Sequence, residues 1–161
     1  VAIVVSDTSP IRALHHLALL DLLKDVYGKV YLPDAVAEEL RNPSLRFGSF
    51  NATAFAFLVI ESPLDLERVA VFQKRLDAGE AAALALALER NADYVLLDER
   101  AGRRIAQELG FNVIGVLGVL SEARRRGLVP LIAPLILRLQ SEMSFHLAPP
   151  LVAEVLRLAG E

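Results

Sequence analysis

Ala2-Ile3-Val4-Val5-Ser6-Asp7-Thr8-Ser9-Pro10 is the stretch that decides the fold. Ala2 to Ser6 is a short apolar run without polar alternation, which reads as a strand buried on both faces, the kind found in parallel sheets covered by helices. Ser9-Pro10 reads as an N-cap with proline at the first helical position, opening a helix through His15. Asp7 stands between the two, directly after the strand. Open parallel sheets bind their ligands at that carboxyl edge.

The same alternation continues along the chain. Lys29 to Leu32, Tyr94 to Leu97 and Asn112 to Gly115 are further runs of the same kind, and Phe57 to Glu61 is a fifth candidate, stopped by Pro63. Helical patterns lie between them: Leu19 to Val26, Val36 to Arg41, Leu64 to Arg75, Gly79 to Arg90, Glu99 to Leu109 and Val116 to Arg126. Leu131 to Ser141 and Pro150 to Ala159 finish the chain. Strands alternating with helices predict an α/β fold, a three-layer α/β/α sandwich around a central, mainly parallel sheet of four or five strands. Residues 43–56 read as a loop with some helix. A chain of 161 residues without repeats or a Gly/Ser linker is expected to form one domain, 1–161.

Composition narrows the function classes. The net charge of −3 argues against binding nucleic acid through bulk positive charge, while leaving room for a local basic patch. There are no cysteines, so disulfides and thiolate zinc sites are excluded, in keeping with a cytoplasmic protein. The longest apolar run, Ala81 to Leu88, is far short of the ~20 residues of a membrane span. Val1 to Val5 is too short for a signal-peptide core, so no targeting segment is expected. The hydrophobic fraction of 54% points to subunit or partner contacts.

Four carboxylates stand out by position. Asp7 and Asp98 follow strands and emerge on the functional edge. On the helix after Pro33, Val36, Glu39 and Leu40 share one face, so Glu39 faces inward and Glu38 faces water. Glu80, Leu84 and Leu88 form one helical row that points Glu80 at the sheet. Each acid also has a structural role open to it. Asp7 satisfies turn amides, Asp98 is an N-cap, Asp77 and Glu80 make a capping box, and Glu39 snorkels. Four carboxylates converging in a cleft would repel one another strongly, and a hard cation with oxygen ligands, Mg²⁺ or Mn²⁺, is the natural compensation.

Ser6-Asp7-Thr8-Ser9, Leu32-Pro33 through Glu39-Leu40, Gly79-Glu80-Ala81 and Leu96-Leu97-Asp98 resemble, in order, the four acidic motifs of PIN-domain nucleases. The likeness is greatest to VapC-like toxins and extends through Gly102-Arg103-Arg104-Ile105-Ala106 to the closing Val155 to Glu161. The resemblance implies Mg²⁺ or Mn²⁺ dependence, endonucleolytic cleavage of an RNA substrate, a homodimer and a small antitoxin partner. It places the catalytic and metal-binding roles on Asp7, Glu39, Glu80 and Asp98. Asp98 is followed by Glu99, which leaves open which of the two ligates. Glu80 stands where many VapC proteins carry aspartate, and Leu96 replaces a hydroxyl residue common two positions before the fourth acid.

Asp7 and Asp98 are expected to ligate the metal directly, and Glu39 and Glu80 through water or around a second ion. Thr8 and Ser9 are candidates to bind a carboxylate or the scissile phosphate. Arg100, Arg103 and Arg104 are candidates to hold the RNA backbone, or else form a solvated face opposite Ala101, Ile105 and Leu109. Arg124 to Arg126 suit a helix C-terminus. His15, His16 and His146 have no paired spacing and read as structural.

Two other α/β readings fail on inspection. A receiver domain needs a lysine after a late strand, and Asn112 to Gly118 has none. A phosphatase with an Asp-x-Asp pair needs a second aspartate where Ser9 stands. The remaining alternative is a PIN fold acting as an interaction module, with Phe47, Phe50, Phe55 and Phe57 as a binding surface or, equally, as core.

Overall fold

The computed structural model describes residues 1–43 and 48–161. Five strands, β1 (Val4–Ser6), β2 (Val30–Leu32), β3 (Leu58–Ile60), β4 (Tyr94–Leu96) and β5 (Asn112–Ile114), form one sheet in the order β3-β2-β1-β4-β5. All four neighbouring pairs are parallel. The fifth candidate strand is present, as the edge strand β3. The helices are α1 (Thr8–His16), α2 (Asp21–Tyr27), α3 (Asp34–Arg41), α4 (Leu66–Phe72), α5 (Ala78–Arg90), α6 (Arg100–Glu108), α7 (Val116–Arg125), α8 (Ala133–Glu142) and α9 (Pro149–Leu158). In the 43–56 stretch a 3₁₀ turn, Ala52–Ala54, is the one helical segment among the described residues.

Side chains alternate along each strand, and here both sides are core. Val4, Val30, Leu32, Leu58 and Leu96 pack with Ile11, Leu14, Leu23, Leu117 and Leu120 from α1, α2 and α7. Val5, Val95 and Leu97 pack on the other side with Leu84 and Leu86 of α5 and Ile105 of α6. Burial on both faces is why the strands lack polar alternation. The result is the three-layer α/β/α sandwich. Among the described residues, no helix is long and apolar enough to cross a membrane.

The strand order places the site. From β1 the chain steps outward to β2 and β3, returns through α4 and α5 to β4 on the other side of β1, and continues to β5. The order therefore reverses between β1 and β4, and such a reversal opens a crevice at the carboxyl ends of the two strands. Asp7 and Asp98 flank it, and the Asp7 amide donates to the Leu96 carbonyl at 3.0 Å.

One reading of the sequence needs correction, and one open alternative is decided. The buried stripe of α6 is Gly102, Ile105 and Ala106, while Ala101 and Leu109 are exposed. Gly102 draws that face inward: a Cβ there would lie 2.5 Å from Glu80 Oε2 and 3.0 Å from Leu97 Cδ2. The aromatic group, in turn, is largely core. Phe50 is buried, Phe55 stacks on it with ring centroids 5.2 Å apart, and Phe57 meets Phe55 edge-on at 5.9 Å. Phe47 lies outside the described residues.

Candidate active site

Four elements deliver the acids. Asp7 ends β1 at the N-cap position of α1 and makes no side-chain cap bond to that helix. Glu39 lies on α3, half-buried, while Glu38 is exposed, as the helical spacing predicts. The α3 carbonyl of Glu39 accepts from Arg12 Nη2 at 2.7 Å, which ties α3 to α1. Thr8 Oγ1 donates to Glu39 Oε2 at 2.6 Å, so the residue after Asp7 holds the second acid. Ser9 is half-buried on the first turn of α1.

Glu80 lies in the first turn of α5 and is 6% exposed. Asp77 caps that helix, accepting from the Glu80 amide at 2.8 Å. Among the described residues no bond returns from the Asp77 amide to the Glu80 carboxylate, so the capping box is half made, and Glu80 Oε2 is buried without a hydrogen-bond partner. Asp98 does not cap α6, whose N-cap position is Glu99. It reaches across β5 instead, and its Oδ1 accepts from the Val116 amide at 3.0 Å, at the start of α7. Asp98 Oδ2 is the second buried carboxylate oxygen without a partner.

Glycines make room for three of these acids. A Cβ at Gly79 would sit 2.7 Å from Glu39 Oε1, at Gly102 2.5 Å from Glu80 Oε2, and at Gly115 2.6 Å from Asp98 Oδ1. Real Cβ atoms do not approach a carboxylate so closely, so each carboxylate occupies space that only glycine leaves free.

The electrostatics show which acids share the site. Burial pushes the Asp7 carboxyl up to about 7. The Thr8 amide opposes that shift, while the charges of Asp77, Glu39 and Glu99 add to it. Burial raises Glu80 as well, helped by a side-chain bond to Asp77 and the charges of Asp77 and Asp7. Asp98 is pushed up to about 6 by burial, against the Val116 amide and the Arg103 guanidinium, with Glu99 raising it further. Asp7 thus feels Asp77, Glu39 and Glu99, Glu80 feels Asp77 and Asp7, and Asp98 feels Glu99, a chain of neighbouring carboxylates along the crevice. Asp77 is an addition that sequence reasoning passed over as a cap; its signal was its place three residues before Glu80.

The arginines of α6 divide. Arg103 turns inward, and its Nη1 donates to the Leu97 carbonyl at 2.9 Å beside Asp98. Arg100 and Arg104 are exposed. All three line a cleft of about 790 Å³ that opens from Asp98 and Glu99. His146 lines the same cleft. His16 pairs with Glu142 at 2.9 Å, and the His15 ring packs tilted against Phe50 with centroids 4.6 Å apart.

The donor set suits a hard divalent cation: carboxylate oxygens only, two of them buried and unpartnered. Among the described residues, no three His, Cys, Asp or Glu side chains form a ready-made metal cluster. By chemistry and by unmet bonding Glu80 and Asp98 are the residues that could hold such an ion, together with the buried Asp7, whose charge reaches Glu80.

No curated protein matches this sequence. A family model described as PIN domain matches residues 3–161. That is nearly the whole chain, and it includes all four acids, the five strands and the crevice between β1 and β4. The chain belongs to the PIN-domain family, a nuclease fold.

Proposed function

We propose that the protein is a divalent-metal-dependent endoribonuclease that hydrolyses RNA phosphodiesters at the crevice between β1 and β4. The observation that supports this most is the pair of buried, unpartnered carboxylate oxygens, Glu80 Oε2 and Asp98 Oδ2, at the sheet's reversal point. Leaving a buried acceptor unsatisfied costs about 1–3 kcal/mol, and more when it is charged, so a partner from outside the chain is the economical explanation.

Asp7, Glu80 and Asp98 hold Mg²⁺ or Mn²⁺ in this reading, with Glu39 beside them. When bound, the ion lowers the pKa of a water for in-line attack and offsets charge on the phosphate. The chain's own residues do the rest. Thr8 fixes Glu39 through its hydroxyl, and in this reading Ser9 contacts the phosphate. Arg103 holds the Leu97 carbonyl and with it the approach to Asp98, and Arg100 and Arg104 attract the RNA backbone. Glu99 sets the negative field shared by Asp7 and Asp98 rather than replacing Asp98, because it is exposed and stands at the N-cap of α6. The toxin role, the antitoxin partner and the homodimer are carried by the VapC-like resemblance.

The test is cleavage of single-stranded RNA with Mn²⁺ or Mg²⁺ by the wild type and by Asp7→Asn. Metal-dependent cleavage that the substitution removes is the expected result. Equal activity in both proteins, or no divalent-metal binding by calorimetry, overturns the reading.

A further inference from the structure

The cleft beside Asp98 has two unlike walls. One is a single stripe of α6: Arg100, Arg103, Arg104 and Gln107 follow i, i+3, i+4, i+7 spacing, opposite the buried Gly102, Ile105 and Ala106. The other is the short link between α8 and α9, which brings Phe145 and His146. Ser144 turns that link by adopting the left-handed conformation at φ 51°, just after α8 ends. The Phe145 amide then donates to the Leu139 carbonyl at 3.0 Å, and its half-buried ring packs on the core. His146 is left exposed at the cleft, on an anchored backbone.

Most arginines outside this cleft are paired with acids. Arg90 pairs with Glu61, Arg125 and Arg126 with Glu122, Arg138 with Glu142 and Arg157 with Glu154. Arg100 and Arg104 form no ion pair among the described residues, although acids are plentiful in a chain of net charge −3. Unneutralised guanidinium groups along one wall suit a polyanion. An aromatic ring on the facing wall, with the Gln107 amide at the end of the arginine stripe, suits nucleobases, which single-stranded RNA presents unstacked. The volume of about 790 Å³ lies within the range of about 300–1,000 Å³ that small ligands fill, enough for a short length of single strand.

We infer that this cleft is a nucleotide subsite flanking the scissile phosphate, with Arg100 and Arg104 on the RNA backbone and a base stacked on His146 above Phe145. Gln107 faces the base edge and selects among bases by hydrogen bonding. The inference rests on the nuclease reading for its substrate but not for its contacts, which binding measures without turnover.

The experiment measures anisotropy of fluorescein-labelled oligouridine and oligoadenosine RNA with full-length Asp7→Asn protein. In that background, His146→Ala is expected to weaken single-stranded RNA by about five- to a hundred-fold, the usual loss of one stacked base. His146→Phe, which restores a stacking ring, keeps most of the affinity. Arg100→Gln with Arg104→Gln weakens binding and lowers the slope of log affinity against log salt by about 1.4, or roughly 0.7 per phosphate contact. Gln107→Ala narrows the difference between the two RNAs. Duplex RNA or single-stranded DNA of matching sequence binding as tightly overturns the assignment to single-stranded RNA. So does a parent protein that binds no RNA, a His146→Phe as weak as His146→Ala, or arginine variants with unchanged affinity. RNA binding with these dependences in a protein that cleaves nothing removes the proposed activity and keeps the subsite. Cleavage with unaltered binding does the reverse.

Discussion

Glu39 and Glu80 occupy equivalent places on either side of the crevice. Each is a glutamate on the inward face of a helix, and each presses an oxygen against a glycine of a neighbouring element, Gly79 for Glu39 and Gly102 for Glu80. Their bonding differs. Glu39 is half-buried, and Thr8 donates to one of its oxygens at 2.6 Å. Glu80 is 6% exposed, crowded by the charges of Asp77 and Asp7, and one of its oxygens has no partner. On the β2 side Glu39 has a donor from within the chain, while on the β4 side Glu80 and Asp98 each keep a buried oxygen unbonded among the described residues. An incoming cation therefore gains most from the second side, and first-side substitutions act more weakly.

The largest expected effect breaks that asymmetry directly. Glu80→Gln should lower Mn²⁺ affinity and RNA cleavage by more than about 100-fold, because even changes one layer outside a metal cost about 10–100-fold. Glu39→Gln should cost about tenfold. Calorimetric Mn²⁺ titration and a cleavage assay on both variants check the order, and a reversed order refutes the comparison.

The next effect is on stability. Folded Asp7 and Asp98 titrate near 7 and 6, against about 4 in the unfolded chain. Proteins with such raised carboxyls bind more protons folded than unfolded, so this contribution is complete below about pH 4 and is lost as pH rises through 6 and 7. The metal-free protein should therefore melt roughly 5–10 °C lower at pH 8 than at pH 5. Glu122, held near 2 by Arg125 and Arg126, acts with the opposite sign but only below its unfolded value, outside that window. Scanning calorimetry over pH checks this, and saturating Mn²⁺ should flatten the dependence.

Glycine substitutions sharpen the contrast further. Gly102→Ala drives a methyl group into Glu80 and Leu97, and should cost about 1–3 kcal/mol in denaturant unfolding as well as metal affinity. Gly79→Ala meets only the end of the Glu39 side chain, which can swing outward, and should cost less than half as much in the same measurement. The smallest effect is that of Thr8→Val, which removes the Glu39 bond and should reduce cleavage at most tenfold in single-turnover kinetics.

Much of this arrangement was legible in the sequence, for identifiable reasons. The doubly buried strands showed as unbroken apolar runs, and even β3 announced itself before Pro63. Helical spacing correctly separated Glu39 from Glu38. What stayed hidden depends on elements distant in the chain. Asp98 looked like the cap of the helix beside it, yet it bonds to Val116, eighteen residues on, because β5 and α7 return to its side. Gly102 in mid-helix, costing about 1 kcal/mol against alanine, was a visible sign of a close approach, but not of what approached. Phe145 and His146 gave no periodic signal, since a turn at Ser144 delivers them to the cleft.

The carboxylate of Asp98 divides its labour. One oxygen fastens the first amide of α7 and the other is left for a ligand. Occupancy of the second oxygen bears on the first, so the site has a spectroscopic tell inside its own backbone. The Val116 amide should change its proton chemical shift and slow its hydrogen exchange as ions fill the crevice, which gives a titration curve without any substrate.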